Sequence, residues 1–76
     1  MARISSNETP EERFKRIAEA RTNAVLDRLR ILGNLSNRQM YHYSEEDIAK
    51  IFSVINERVR ETRSKFRFSN KERFKL

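Results

Sequence analysis

The chain contains no cysteine and no tryptophan, and its 76 residues include one glycine, one proline and one histidine. Without cysteine there are no disulfides and no thiolate metal sites. So little glycine and proline argues against a turn-rich β fold, and Gly33 alone cannot form a phosphate-cradling glycine loop. Nucleophilic catalysis needs an activated hydroxyl or thiol, a base and an orienting group. His42 is the only imidazole, has no second histidine at metal-ligand spacing, and lies between Tyr41 and Tyr43, which read as packing or contact residues. The expectation is a protein that is not an enzyme and uses no metal or cofactor. No apolar run approaches the ~18 residues of a membrane span, and no secretory signal is visible. A cytoplasmic location away from membranes is therefore expected.

What the chain does have is charge, very unevenly placed. Residues 58–76 hold eight cations (Arg58, Arg60, Arg63, Lys65, Arg67, Lys71, Arg73 and Lys75) against Glu61 and Glu72, a net of +6. Residues 1–57 hold nine cations and nine anions and are neutral. Phe66, Phe68 and Phe74 stand among these cations. Cations neutralise phosphates and flat rings stack on bases or wedge between them, so this segment has the make-up of a polyanion-binding arm. The same segment also suits an acidic protein surface, or serves only as a solubilising tail. Cations at a helix C-terminus complement its dipole, but that accounts for two or three of them, not eight.

The apolar residues follow helical spacing. Thr9 reads as an N-cap, Pro10 as the first helical residue and Glu12 as the return arm of a capping box, with Glu11 adding to the acidic first turn. Phe14, Ile17, Ala18, Val25, Leu29 and Leu32 share one face, widened by Leu26 and Ile31. Gly33-Asn34 reads as the C-cap, which gives a first helix over about 10–32. A second helix opens with Ser44 as N-cap and Asp47 at the capping-box position, and runs over about 45–66. Its stripe is Ile48, Ile51, Phe52, Ile55, Val59, Thr62 and Phe66, in steps of three and four close to a heptad repeat. Val54 lies off that stripe. Glu46–Lys50 and Glu61–Lys65 are oriented as i,i+4 ion pairs. Glu45, Glu46 and Asp47 have the oxygen ligands of a hard-cation site, but the dipole and the capping box explain them fully. The first helix mixes Glu11, Glu12, Glu19 and Asp27 among its arginines, unlike a helix lying on a membrane.

The predicted fold is all-α: an antiparallel two-helix hairpin that dimerises into a four-helix bundle, with a basic C-terminal arm. A hairpin alone leaves half of each stripe wet, and a single core of this size is marginal without a partner. A monomer with the connector folded over the hairpin is the competing arrangement. Residues 1–8 read as a flexible arm, 9–66 as the helical domain and 67–76 as the tail. The core is expected to hold Phe14, Ile17, Leu29, Ile48, Phe52 and Ile55. The connector, residues 33–43, is expected to pack on the helices, with one helical turn near Ser36–Tyr41. Ser69 with Glu72 could start a last short turn.

The block from Leu29 to Ile55 resembles a family of small bacterial proteins with no established activity. The resemblance rests on Gly33, Asn34, Ser36, Asn37, Tyr41, Tyr43, Glu46, Asp47, Lys50, Ile51 and Phe52. It implies a genuine folded unit and directs attention to the connector. Asn and Ser there either cap the first helix and tie the connector down, or form a recognition loop contacting through Arg38, Gln39, Tyr41 and Tyr43. The function expected from the sequence is a small non-enzymatic nucleic-acid-binding or accessory factor of a bacterial or phage regulatory system. In it Arg58, Arg60, Arg63, Lys65, Arg67, Lys71, Arg73 and Lys75 contact phosphates, and Phe66, Phe68 and Phe74 stack. No helix-turn-helix, ribbon-helix-helix or zinc-finger signature is visible, so sequence specificity is expected to be weak. The alternative is a protein-interaction module that modulates an enzyme or assembly through an apolar helix face.

Overall fold

The computed structural model describes residues 7–68. Among them it is all-α, with two α-helices, one short 3-10 turn and no strand. The chain divides into two compact units, Met1–Tyr41 and His42–Leu76. The first unit carries α1, Pro10–Gly33, and the second carries α2, Glu45–Arg63.

Both helices start where the sequence says they should. The Thr9 hydroxyl accepts from the Glu12 N–H at 3.0 Å, and the Thr9 N–H donates to Glu12 Oε1 at 3.1 Å. Ser44 and Asp47 repeat the exchange at 3.0 and 3.1 Å. Each box satisfies donors that a helix start would otherwise leave without an acceptor. A contact outside the cap also anchors α1. The Glu8 carboxylate accepts from Arg16 Nε at 2.8 Å and from Arg16 Nη2 at 3.0 Å, with Arg13 Nε at 3.9 Å. Glu8 thus ties the last residue of the expected arm to the second turn of α1. Residues 1–6 of that arm lie outside the described residues.

The helix ends depart from expectation. Gly33 is the last residue of α1 and has ordinary right-handed geometry, φ −63°. It is not a left-handed cap, because the chain tightens directly into the 3-10 turn Asn34–Ser36. There the Asn34 N–H donates to the Ile31 and Leu32 carbonyls, so a tightened turn satisfies the last carbonyls without any positive φ. α2 ends at Arg63 rather than near 66. Its final N–H groups donate three residues back, Lys65 to Thr62 and Phe66 to Arg63, both at 3.1 Å. The Ser64 hydroxyl donates to the Glu61 carbonyl at 2.7 Å, drawing that acceptor out of the regular ladder. The possible turn at Ser69–Glu72 lies outside the described residues.

No described residue is buried: of the expected core residues, Phe14, Leu29 and Phe52 are exposed, and Ile17, Ile48 and Ile55 are half-buried. Each unit contains a single long helix, and a helix shields its own side chains only through neighbours three and four residues away. The connector corrects a second expectation. Leu35, Met40 and Tyr41 are exposed rather than packed. Residues 38–40 form a turn that organises itself: Asn37 Oδ1 accepts from the Gln39 N–H at 2.9 Å, and the Asn37 carbonyl accepts from Met40 and Tyr41. This short side-chain-to-backbone bond is an Asx turn. Neither expected i,i+4 ion pair forms; Glu61 instead meets Arg58 at 3.5 Å.

Candidate nucleic-acid interface

The basic segment begins on a regular helix, which fixes where its first cations point. At 100° per residue, Val59 and Thr62 continue the apolar stripe of α2 to its end at Arg63. Arg58 then falls on one flank of the stripe, Arg63 on the other, and Arg60 round the back. Cations therefore border the apolar seam on both sides instead of forming one solvated face. Arg58, Arg60, Arg63, Lys65 and Arg67 are all exposed. Arg58 carries the only anion pairing seen among them, with Glu61, and both side chains stay well solvated, a geometry in which an ion pair contributes little.

The local backbone explains how the segment leaves the helix. Thr62 Oγ1 donates to the Arg58 carbonyl at 2.7 Å and the Ser64 N–H donates to the Arg60 carbonyl at 3.1 Å. These bonds satisfy the carbonyls of the last turns, and Phe66, Arg67 and Phe68 follow without regular secondary structure. Phe66 is 59% exposed and Phe68 86%. Two phenyl rings left that open, flanked by cations, have no structural duty among the described residues. Lys71, Arg73, Phe74 and Lys75 lie outside the described residues.

Of the residues expected to form a recognition loop, Arg38, Gln39 and Tyr41 belong to the first unit and Tyr43 to the second. Gln39 and Tyr41 lend their N–H groups to Asn37, which favours the connector as a self-capped turn. The acidic start of α2 serves its cap: Asp47 is engaged with Ser44. Among the described residues no group of three or more His, Asp or Glu side chains is placed to hold a metal ion. None of the described helices is long and apolar enough to cross a membrane.

Sequence reasoning missed the Glu8–Arg16 pair. Its only signal was an acid immediately before the N-cap with two arginines, Arg13 and Arg16, one and two turns downstream. In the pair, the hydrogen bond from Arg16 holds the Glu8 carboxyl below the ordinary carboxylate value, helped by the charges of Arg16 and Arg13. The same bond raises Arg16 above its already high value. Compared with known protein families, curated proteins and solved structures, the chain matches none.

Proposed function

We propose that this is a non-enzymatic nucleic-acid-binding or accessory regulatory protein that contacts phosphates through the basic end of α2 and the tail beyond it. The observation that carries the reading is the exposure of Phe66 and Phe68 among Arg63, Lys65 and Arg67. A solubilising tail has no use for open phenyl rings. A strand-binding arm uses them, because bases stack on aromatic faces while cations follow the backbone. Arg58, Arg60, Arg63, Lys65, Arg67, Lys71, Arg73 and Lys75 supply the charge, and Phe66, Phe68 and Phe74 the stacking. The accompanying assembly is a dimeric bundle in which α1 and α2 lie antiparallel, since the exposed apolar stripes need cover.

The test is a salt titration of duplex binding by fluorescence anisotropy. The intact chain should bind non-specifically, with Kd on the order of 10⁻⁴–10⁻⁶ M at physiological salt. If five to eight cations engage, log K against log salt should fall with a slope of about −4 to −7. Changing Lys65, Arg67, Lys71, Arg73 and Lys75 to Gln should leave helicity unchanged and reduce affinity at least ~10-fold. Equal binding by that variant would overturn the reading.

A second reading is favoured by one observation, the exposed apolar stripe of α2, in which Phe52 is 42% and Val59 59% exposed. In this reading the chain is a protein-interaction module that works through a helix face. Apolar docking of that kind hardly responds to salt, which separates it from phosphate binding.

A further inference from the structure

We infer that α2 pairs with α2 of a second copy, antiparallel, across a two-fold axis near residues 53–54. This rests on the dimer named above and specifies which helix forms its seam and in which direction.

The seam is written in the spacing. Within α2, Ile48, Phe52, Ile55, Val59 and Thr62 follow one another in steps of 4, 3, 4 and 3. That is the alternation of core positions in a coiled coil, with Phe52 and Val59 in one set and Ile48, Ile55 and Thr62 in the other. The one polar member, Thr62, already donates its hydroxyl to the Arg58 carbonyl, so burying it leaves no donor unsatisfied. α1 offers less. Its best matching register reads Ala18, Thr22, Val25, Leu29 and Leu32, which begins with a small and a polar residue.

Charge decides the direction. α2 is polarised along its length, with Glu45, Glu46 and Asp47 in its first turn and Arg58, Arg60 and Arg63 towards its end. In a parallel pair the flanking position of Arg58 meets that of Arg63 in the other copy. The two acidic starts would also lie side by side, as would the two basic ends. In an antiparallel pair Phe52 is layered against Ile55 of the second copy, and Ile48 against its Val59. Residues 44–49 then lie level with residues 58–63 of the second copy, which sets Glu45, Glu46 and Asp47 against Arg58, Arg60 and Arg63, with Glu61 the one acid among them. Arg58 flanks Ile51 of the second copy, so its meeting with a second cation is avoided. The helix dipoles also oppose, which adds to the preference.

Charge also selects a second α2 over α1 as the occupant of this seam. In an intrachain hairpin the start of α1 lies level with the end of α2, which sets Arg13, Lys15 and Arg16 beside Arg63. Those α1 cations are balanced by Glu8, Glu11 and Glu12, so this stretch is neutral and offers the basic end no net attraction. The start of a second α2 carries three acids and one cation, Lys50, over six residues. α1 then covers the outer shoulder of α2, where Ile51 and Val54 remain exposed.

The arrangement has a consequence for the basic arms. With a rise of ~1.5 Å per residue, the Arg63 positions that end the two α2 helices lie about 29 Å apart along the axis. The two arms therefore leave from opposite ends of the seam.

The absence of native cysteine makes the test direct. Ile48→Cys and Val59→Cys chains are prepared separately, then oxidised alone and mixed. Alongside, the parent's mass is followed by sedimentation across a concentration series. Antiparallel pairing predicts a disulfide in the mixture, joining one chain of each kind, and little product from either chain alone. Efficient cross-linking of each chain to itself would show parallel pairing and overturn the proposal. A dimer by sedimentation with no cross-link in any tube would place the interface elsewhere and overturn it too, as would a monomer at every concentration. If the parent is a dimer and that mixture fails, Phe52→Cys and Ile55→Cys chains, layered against each other in the proposed register, are likewise oxidised alone and mixed; failure of this mixture too rejects the register. None of these outcomes bears on the salt titration, so arm and seam fail separately.

Discussion

α1 and α2 begin alike and finish differently. Each opens on a hydroxyl cap returned by an acid three residues on, and each has acids in its first turn. α1 then mixes both signs along its whole length and closes through a tightened turn at Gly33–Ser36. α2 keeps its acids at one end and its cations at the other, holds an unbroken apolar seam between them, and releases two open phenyl rings where it stops. The same starting chemistry thus serves two helices with different prospects. A helix of mixed charge has no preferred direction of approach for a neighbour. A polarised helix does, and its basic end stays available beyond the seam.

The contrast is broken most severely at Phe52. In an α2 seam this ring fills the layer next to the two-fold axis, so Phe52→Ala should weaken association by about 3–5 kcal/mol, as for a large core truncation. Leu29→Ala in α1 should leave association nearly intact. Both are read from the concentration dependence of the melting temperature, which linkage makes sensitive to dimer strength. An equal loss from both variants would mean that the two helices share the central seam.

The caps provide a gentler comparison. Ser44→Ala and Thr9→Ala each remove a hydroxyl that accepts a helix N–H, a loss of about 1 kcal/mol. The α1 start has a second tie in Glu8–Arg16, whereas Ser44 and Asp47 hold the α2 start through the box itself. Fraying measured by amide exchange should therefore be greater at residues 45–48 in Ser44→Ala than at residues 10–13 in Thr9→Ala. Equal fraying would show that the Glu8 tie adds nothing to the cap.

What was legible in the sequence follows from the range of each interaction. The caps at Thr9 and Ser44 are contacts across three residues, and the helix starts came out at the expected positions. The helix ends are set by competition among near-equal local bonds. Ser64 taking the Glu61 carbonyl, and Asn34 turning back to Ile31 and Leu32, moved each end by one to three residues. Burial of Phe14 or Phe52 needs a second element across the stripe, and a periodic pattern names the face without naming what covers it. The cations of the candidate interface were legible as composition. That they flank the seam on both sides emerged only once α2 was known to remain helical through Arg63.

Gly33 sharpens the difference between the two helix ends. It sits at φ −63°, and a Cβ built there meets nothing within 4 Å. Glycine's freedom is therefore unused in the folded chain and costs entropy on folding. Gly33→Ala should stabilise the protein by about 0.5–1 kcal/mol and lengthen the protected part of α1. Urea unfolding followed by circular dichroism measures it. A destabilised variant would show that residue 33 visits a left-handed cap in solution.

The smallest effect concerns Glu8. Its carboxyl sits below the ordinary value because Arg16 donates to it, with Arg16 and Arg13 adding favourable charge. A carboxyl whose value falls on folding contributes stability above its unfolded value and loses it as pH falls through the lowered folded value. Arg16 stays charged throughout, so the change belongs to Glu8. The N-terminal turn of α1 should therefore loosen as the solution is acidified through and below the carboxylate range. Acidification acts on the other carboxylates of the chain as well, so the parent alone does not isolate the tie. Glu8→Gln does, because it keeps the length and loses only the titrating charge. Amide exchange at residues 12–16 should be slower in the parent than in Glu8→Gln at neutral pH, and the two should converge under acid. A constant gap across the titration would mean that Glu8 acts through packing, and no gap at any pH would mean that the pair does not hold in solution.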